Sequence, residues 1–448
     1  MEDPDDGAPL QRRLERAQRE HRTPSLVAGV VREGQLVWSG GAGEVEGSVP
    51  DADTQYRIGS ITKTLVAVAV MRLRDEGRVA LSDPIEAHLP GTGLQVSIGQ
   101  LLMHAGGTPA ETGGPWWERT AGGPVDDLVA DLAARGPVGP ADRRFHYSNV
   151  GFGLLGGVVE RVRGRPWADV VAEEVLAPLG MTRTTPRPVA PAAPGLAVHP
   201  WADVVLPEPE HDAGAMAPAG QLWSTATDLG RWCAFLAGDV GEVLSPDTLA
   251  EMRVPGMVDD RPGEPWTTAW GLGLQVGNAD GRRTVGHGGS MPGFLAVVQV
   301  EVETGLGLTA MANTTAGLDP ALVGDLWDLA RTHLAPAPAP WRPTAAPADV
   351  LELLGIWYWG PRAHVLRLAD GELHLAPMEG SGRVSRFAPR DDGTWVGRDG
   401  YYAGEVLTAV RRGDGTTRHL DLGSFIFTRT PYDPHADVPG GVDPAGWR

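Results

Sequence analysis

Ser60 and Lys63 lie three positions apart in the segment Ile58–Thr64, a spacing that brings two side chains to one face of a helix. A serine hydroxyl is a poor nucleophile at neutral pH unless a base in contact with it takes its proton. A buried lysine amine can be that base, whereas an arginine guanidinium stays charged near neutral pH. The pair therefore predicts nucleophilic catalysis by Ser60, with Lys63 as its base.

Lys63 is also the one lysine of this 448-residue chain, because the 38 Lys and Arg residues are 37 arginines and Lys63 itself. A sequence that uses arginine at every other cationic position retains lysine where a removable proton is needed. This composition favours a catalytic role for Lys63 over a structural one.

Two later segments hold further polar side chains. They are Tyr147-Ser148-Asn149, placed before an apolar helical stretch, and the glycine-rich segment Gly286–Ser290, which contains His287. Tyr147 alone would be read as a core aromatic, and His287 alone as part of an α/β-hydrolase oxyanion segment. No Gly-x-Ser-x-Gly elbow accompanies it, which argues against that fold. The histidines show no metal-ligand spacing, so we expect no metal and no cofactor.

The elements that must position these residues alternate between helical and strand patterns. Apolar periodicity predicts helices over 8–22, Ser60–Asp75, Val150–Val162, Trp167–Leu176, Thr225–Ala237 and Pro320–Leu334. Strands are predicted over Ser25–Val31, Gln35–Gly41, Thr268–Val276, Arg283–Val285, Leu295–Val302 and Leu306–Asn313. Strands near both ends of this region with helices between them indicate an α/β sandwich whose sheet joins early and late strands.

A change of composition divides the chain. Residues 1–334 form the predicted α/β domain, and 335–348 form an alanine- and proline-rich linker. Residues 349–448 contain short apolar runs separated by glycine-containing turns, which predicts a small all-β, barrel-like domain.

Composition also limits the partners. A net charge of −19 argues against nucleic acid and anionic membrane surfaces, and no apolar stretch approaches the ~20 residues of a membrane span. The first six residues are acidic and unlike a secretory leader, so we expect a cytoplasmic protein. Cys233, the single cysteine, lies in an apolar helical pattern typical of a buried thiol. The sequence does not define the oligomeric state.

The order of these motifs resembles the serine β-lactamase and penicillin-binding-protein superfamily, especially its class C β-lactamase, esterase and D-aminopeptidase branch. There the three motifs read Ser-x-x-Lys, Tyr-x-Asn and Lys/His-x-Gly. The segment Leu101–Gly107 is similar to the family's LLTHTSG, and Ala219–Thr225 to its GGLxST. The resemblance covers roughly residues 8–334 and implies an antiparallel sheet flanked by helices plus an all-helical subdomain. The C-terminal domain resembles the lipocalin-like appendage of some members.

The resemblance implies a role for each motif residue. Ser60 would be the acylated nucleophile and Lys63 its base. Tyr147 would be a second proton-transfer group, Asn149 would position Lys63 and the substrate amide, and His287 would take the third-motif position.

The remaining expectations concern the oxyanion and the substrate. The oxyanion hole would be the backbone N–H groups of Ser60 and Ser290, with Gly289 beside the substrate. Trp116 and Trp117, in a glycine-rich loop, could wall a substrate pocket or anchor the loop on the surface, and Trp223 is a further pocket candidate.

His287 stands where other members carry lysine, which removes the fixed charge expected to hold a substrate carboxylate. The sequence therefore predicts a serine hydrolase for a small-molecule or short-peptide ester or amide, including those of D-amino acids. Two alternatives stay open. One is acyl transfer to an amine, as in peptide cyclisation, through the same acyl-enzyme. The other is a non-catalytic ligand-binding module that retains the fold.

Overall fold

The computed structural model describes residues 7–279, 281–334 and 340–433. The chain divides into two compact units, Met1–Ala337 and Pro338–Arg448. Five residues of the expected linker, 335–339, and the acidic residues 1–6 lie outside the described ranges.

The first unit is built on an eight-stranded antiparallel sheet with the strand order β2-β1-β12-β11-β10-β9-β8-β7. The early strands pair with the late ones, since Leu26 of β1 lies opposite Ala312 of β12. Two short pairs, β3 with β6 and β4 with β5, lie outside this sheet. The strands are β1 Ser25–Arg32, β2 Gln35–Gly43, β3 Tyr56–Arg57, β4 Leu196–Val198, β5 Val205–Pro207, β6 Trp223–Ser224, β7 Met257–Val258, β8 Thr268–Trp270, β9 Gln275–Ala279, β10 Arg282–Met291, β11 Phe294–Glu301 and β12 Gly307–Ala312.

Ten α-helices belong to the described part of this unit: α1 Ala8–Glu20, α2 Thr62–Asp75, α3 Ile85–His88, α4 Ile98–Leu102, α5 Val125–Arg135, α6 Asn149–Arg163, α7 Trp167–Val171, α8 Ala226–Ala237, α9 Pro246–Met252 and α10 Leu322–His333.

Both faces of the sheet are covered because β1 is apolar on each side. Its alternate residues Val27 and Val31 join the larger core with α2, α6 and α8, and the intervening residues join a second core with α1 and α10. Strands buried on both faces read as continuous apolar runs. Helix α2 is buried from Thr62 to Met71, as expected of a helix surrounded by other helices and the sheet.

Two local predictions were wrong. The single strand expected over Thr268–Val276 is two antiparallel strands, β8 and β9, because the chain reverses around Gly273, whose φ is +79°. The strand expected over Arg283–Val285 continues to Met291, because the glycine-rich third motif pairs with β11 instead of forming a turn.

The second unit begins with α11 Ala348–Leu353 and continues as an up-and-down, nearly closed eight-stranded antiparallel barrel, in which neighbours in sequence are neighbours in space. The first and last strands meet where Tyr358 and Thr428 exchange backbone hydrogen bonds of 2.7 and 2.9 Å. The strands are β13 Gly355–Trp359, β14 Arg362–Ala369, β15 Glu372–Pro377, β16 Ser385–Pro389, β17 Trp395–Gly397, β18 Val406–Arg411, β19 Thr417–Leu422 and β20 Phe425–Phe427.

The predicted fold class, an α/β β-lactamase-like unit followed by a small all-β barrel, is confirmed. None of the helices in the described ranges is long and apolar enough to cross a membrane.

Candidate active site

Ser60 lies on a 3-10 turn, Gly59–Ile61, that leads directly into α2. The predicted helix therefore begins two residues later than Ser60. Gly59 has a φ of +51°, and a Cβ added there would lie 2.5 Å from the backbone nitrogen of Ser290. Only glycine fits this approach, so the turn holds Ser60 directly against β10.

Lys63 is completely buried one helical turn after Ser60. Its Nζ is 2.9 Å from Ser60 Oγ, 2.7 Å from Asn149 Oδ1 and 2.6 Å from the backbone oxygen of Ala219. Burial lowers the pKa of Lys63 to about 7, against the opposing effect of the charges of Glu111 and Glu118. Near neutral pH a large share of the molecules therefore carries an uncharged amine at this position.

A neutral amine has two hydrogens and one lone pair, and its three neighbours determine where each goes. The amide oxygen of Asn149 and the carbonyl of Ala219 can only accept hydrogen bonds, so they take the two hydrogens. The lone pair is left facing the hydroxyl of Ser60, which can donate. This arrangement is the one that general-base activation of Ser60 requires.

Tyr147 lies over the same amine. Its ring centroid is 5.1 Å from Lys63 Nζ, and its hydroxyl is hydrogen-bonded to Ser60. Burial raises the pKa of Tyr147, so the phenol is neutral and can pass a proton without holding a charge. The ring of His104 stacks on Tyr147 at a centroid distance of 4.3 Å, and burial keeps the pKa of His104 well below its usual value.

Asn149 is the first residue of α6, where the side chain of Ser148 caps the helix by accepting from the backbone N–H of Gly151. The cap fixes the start of the helix and hence the direction of the Asn149 side chain. Its Nδ2 donates to Glu111 Oε1 at 2.7 Å. Glu111 was missed from the sequence, because it lies in an irregular loop with no motif spacing to mark it.

His287 lies inside β10 with 4% of its surface exposed. Its Nδ1–H donates to the carbonyl of Gly288, and its ring centroid is 6.1 Å from that of Tyr147. Burial, with a further contribution from the charge of Lys63, lowers the pKa of His287 to about 3. The imidazole is therefore neutral, and its Nε2 has no hydrogen-bond partner among the described residues.

The backbone of β10 runs close against the turn that carries Ser60. A Cβ added to Gly289 would lie 1.9 Å from the carbonyl oxygen of Ile58 and 3.4 Å from the nitrogen of Ser60. This approach places the backbone N–H groups of Ser60 and Ser290 in neighbouring segments, where two N–H groups can flank a developing oxyanion.

The three candidate tryptophans lie in different environments. Trp117 is buried and its Nε1–H donates to Glu111 Oε2 at 2.6 Å, which connects it through Glu111 to Asn149. Trp116 is 57% exposed and donates to Glu118. Trp223 is buried in β6 and packs against Phe294 at a centroid distance of 4.9 Å. Of the three, Trp117 is the one hydrogen-bonded to a partner of Asn149.

The fold and these motifs are those of a known family. The family model described as Beta-lactamase matches residues 10–332, so the chain belongs to the beta-lactamase family of serine hydrolases. The prediction of an enzyme of this class is confirmed. A second model, a domain of unknown function (DUF7586), matches residues 346–429.

Individual relatives agree with this assignment. Penicillin-binding protein 4 of Amycolatopsis lactamdurans is 28% identical, with 79% of this chain and 98% of the relative covered. A D-stereospecific amidohydrolase from Streptomyces sp. is 30% identical, with a TM-score of 0.61 over 72% of this chain and 97% of that one. The structure of SurE with D-Leu is 26% identical, with a TM-score of 0.60 over 96% of this chain and 100% of that one.

Proposed function

We propose that the protein hydrolyses small esters or amides through an acyl-enzyme on Ser60. The observation that carries this proposal is the fully buried Lys63, whose Nζ is 2.9 Å from Ser60 Oγ and whose pKa burial lowers to about 7. A base with a pKa near the working pH combines a large neutral fraction with useful proton affinity.

In the first half of the reaction, Ser60 Oγ attacks the substrate carbonyl carbon while its proton passes to Lys63 Nζ. The backbone N–H groups of Ser60 and Ser290 stabilise the oxyanion, and one such donor is typically worth ~2.7–4 kcal/mol. The bond to the leaving group then breaks as that group takes up a proton, relayed from Lys63 through Tyr147. Ser60 is left as an ester of the acyl group.

In the second half, water attacks the acyl-enzyme and gives its proton to the same pair of residues. The bond from the acyl carbon to Ser60 Oγ breaks, and Oγ recovers a proton. The acid product leaves and the starting protonation state returns. Tyr147 serves as a neutral relay in both halves, which agrees with its raised pKa and its hydrogen bond to Ser60.

For the substrate we propose acyl groups without a carboxylate, with amides and esters of D-amino acids as the leading class. The neutral His287 provides no positive charge at the third motif, and Glu111 adds a negative one nearby. The 30% identical Streptomyces enzyme is a D-stereospecific amidohydrolase, and the SurE structure holds D-Leu.

The up-and-down eight-strand order of the second unit, which lipocalins share, supports a lipocalin-like domain there.

The test is intact-mass spectrometry after incubation with a fluorophosphonate, followed by a panel of D- and L-aminoacyl amides and esters. Wild type should gain one adduct, Ser60→Ala none, and Ser39→Ala, which changes an exposed serine of β2, one as in wild type. Absence of an adduct on folded wild type would refute the acyl-enzyme. Labelling with no turnover of any amide or ester would refute the substrate class instead. Adding an acceptor amine and weighing the products would measure acyl transfer against hydrolysis.

A further inference from the structure

A chain of hydrogen bonds extends from the catalytic amine to the surface loop of Glu111. Lys63 Nζ donates to Asn149 Oδ1 at 2.7 Å, and Asn149 Nδ2 donates to Glu111 Oε1 at 2.7 Å. The other carboxylate oxygen of Glu111 accepts from Trp117 Nε1 at 2.6 Å. Both oxygens of Glu111 therefore have a fixed donor.

The orientation of the Asn149 amide decides what the lone pair of Lys63 can do. With its oxygen toward Lys63, Asn149 takes one of the amine hydrogens and leaves the lone pair to the hydroxyl of Ser60. With the amide rotated by a half turn, Asn149 Nδ2–H would point at Lys63 Nζ and compete for the same lone pair. Ser60 would then lose its base, although every residue of the three motifs would still be present.

We propose, on the basis of the proposed acyl-enzyme function, that Glu111 is a positioning residue that locks the Asn149 amide with its oxygen toward Lys63. A carboxylate accepts hydrogen bonds and does not donate them, so it can face the Nδ2 end of the amide and not the oxygen end. Its charge strengthens that hydrogen bond. Trp117 in turn holds the carboxylate in place.

Glu111→Gln is an informative substitution because glutamine has the same shape but a single acceptor. Two donors, Asn149 Nδ2 and Trp117 Nε1, compete for that one oxygen. If the oxygen goes to Trp117, the new amide nitrogen faces Asn149 and favours the rotated amide. Removing the competing indole donor, in Glu111→Gln/Trp117→Phe, leaves the glutamine oxygen free for Asn149 and restores the productive orientation.

Charge and orientation can be separated with Glu118→Gln. Glu118, like Glu111, raises the pKa of Lys63 through its charge, but it accepts no hydrogen bond from Asn149. Its carboxylate accepts from Trp116 Nε1 at 2.8 Å. The other titratable groups around Lys63 are Tyr147, His104 and His287, which stay the same in both variants.

The experiment measures the rate of Ser60 labelling by a neutral fluorophosphonate between pH 5.5 and 9, which requires no recognition of a natural substrate. Both single variants should shift the rise in rate to lower pH, because each loses a charge that raises the pKa of Lys63. In Glu111→Gln alone the plateau rate should also fall, by roughly 10²-fold, as for a misplaced catalytic group. Adding Trp117→Phe should recover most of that loss, while Trp117→Phe in the wild-type background should not accelerate labelling.

Equal plateau rates for Glu111→Gln, Glu118→Gln and wild type would overturn the proposal, since charge alone would then account for the role of Glu111. A fall without rescue by Trp117→Phe would also overturn it. Thermal melts of each variant establish that the fold persists, and Glu111→Asp provides a second test, because it keeps two acceptors and should label faster than Glu111→Gln. Failure of wild type itself to label would count against the acyl-enzyme and not against the positioning role.

Discussion

Replacing Lys63 with arginine tests whether Lys63 is the base that activates Ser60. The substitution keeps a cationic side chain at this position, but the guanidinium holds its proton near neutral pH far more strongly than the lysine amine does. At pH 7.5 a group with a pKa of about 7 is neutral in roughly three-quarters of molecules. Arg57 shows what burial does to a guanidinium in this protein, because desolvation lowers its pKa to about 10. An arginine with that pKa at position 63 would be neutral in roughly 0.3% of molecules at pH 7.5. The difference in neutral fraction alone therefore predicts that Ser60 is labelled roughly 200-fold more slowly at pH 7.5, before any effect of the misplaced, longer side chain.

The assay is the rate of fluorophosphonate labelling of Ser60, followed from pH 6 to 10. Wild type should rise through about pH 7 and then level off, as the pKa of Lys63 requires. Lys63→Arg should be slow at pH 7.5 and still rising at the alkaline end. Circular dichroism and a thermal melt show whether the fold is intact. A folded Lys63→Arg variant that labels within tenfold of wild type at pH 7.5 would refute the role of Lys63 as the base.

Three further predictions follow from the same geometry. Tyr147→Phe removes the hydroxyl that is hydrogen-bonded to Ser60. It should lower kcat for ester hydrolysis by roughly 10²-fold or more, as for loss of a proton-transfer group. A change in kcat below threefold would mean that the second motif is misassigned. Gly289→Ala should lower stability by about 1–3 kcal/mol and slow labelling. Its Cβ would lie 1.9 Å from the oxygen of Ile58, whereas the control Gly288→Ala meets nothing nearer than 3.9 Å; equal melting temperatures would contradict this. Finally, the pKa of Lys63 is about 7 in the folded protein, below its ordinary value of 10.5. Between these two pH values the unfolded chain binds more protons than the folded one. The free energy of unfolding should therefore rise with pH in this range, by up to about 1.4 kcal/mol per pH unit. Lys63→Met should lack that rise in urea titrations at pH 7 to 9.5, and identical slopes would disprove the lowered pKa.

Much of the fold was predictable because its central elements carry clear apolar runs bounded by polar residues. Helix α2 is apolar without a break from Leu65 to Met71, and strand β1 is apolar from Leu26 to Val31. The break between β8 and β9 was missed because it depends on the backbone conformation of Gly273, which composition does not specify. The extension of β10 through the glycine-rich motif was missed because glycine runs ordinarily indicate turns, and here pairing with β11 overrides that preference.

Part of the candidate site could likewise be predicted from the sequence, and part could not. Ser60 and Lys63 were identified from their types and spacing, and Tyr147 and Asn149 from the resemblance to the serine β-lactamase superfamily. The structure places the side chains of Ser60, Tyr147 and Asn149 around the amine of Lys63. Glu111 could not be found in this way, because its contact with Asn149 is made by a loop that reaches the start of α6 from elsewhere in the sequence. Contacts that depend on loop paths leave no periodic signal.

The burial of Lys63 has a practical consequence for chemical modification of this protein. Lys63 is the one lysine among the 38 Lys and Arg residues of the chain. Reagents that acetylate, methylate or crosslink lysine therefore have one side-chain target, and its exposed fraction is 0%. Such a reagent can react only when the packing around α2 opens. The rate of modification at this one position would therefore report how often the interior opens, much as amide hydrogen exchange does for a protected backbone group. The same burial would make bound ligands detectable as a slowing of that reaction.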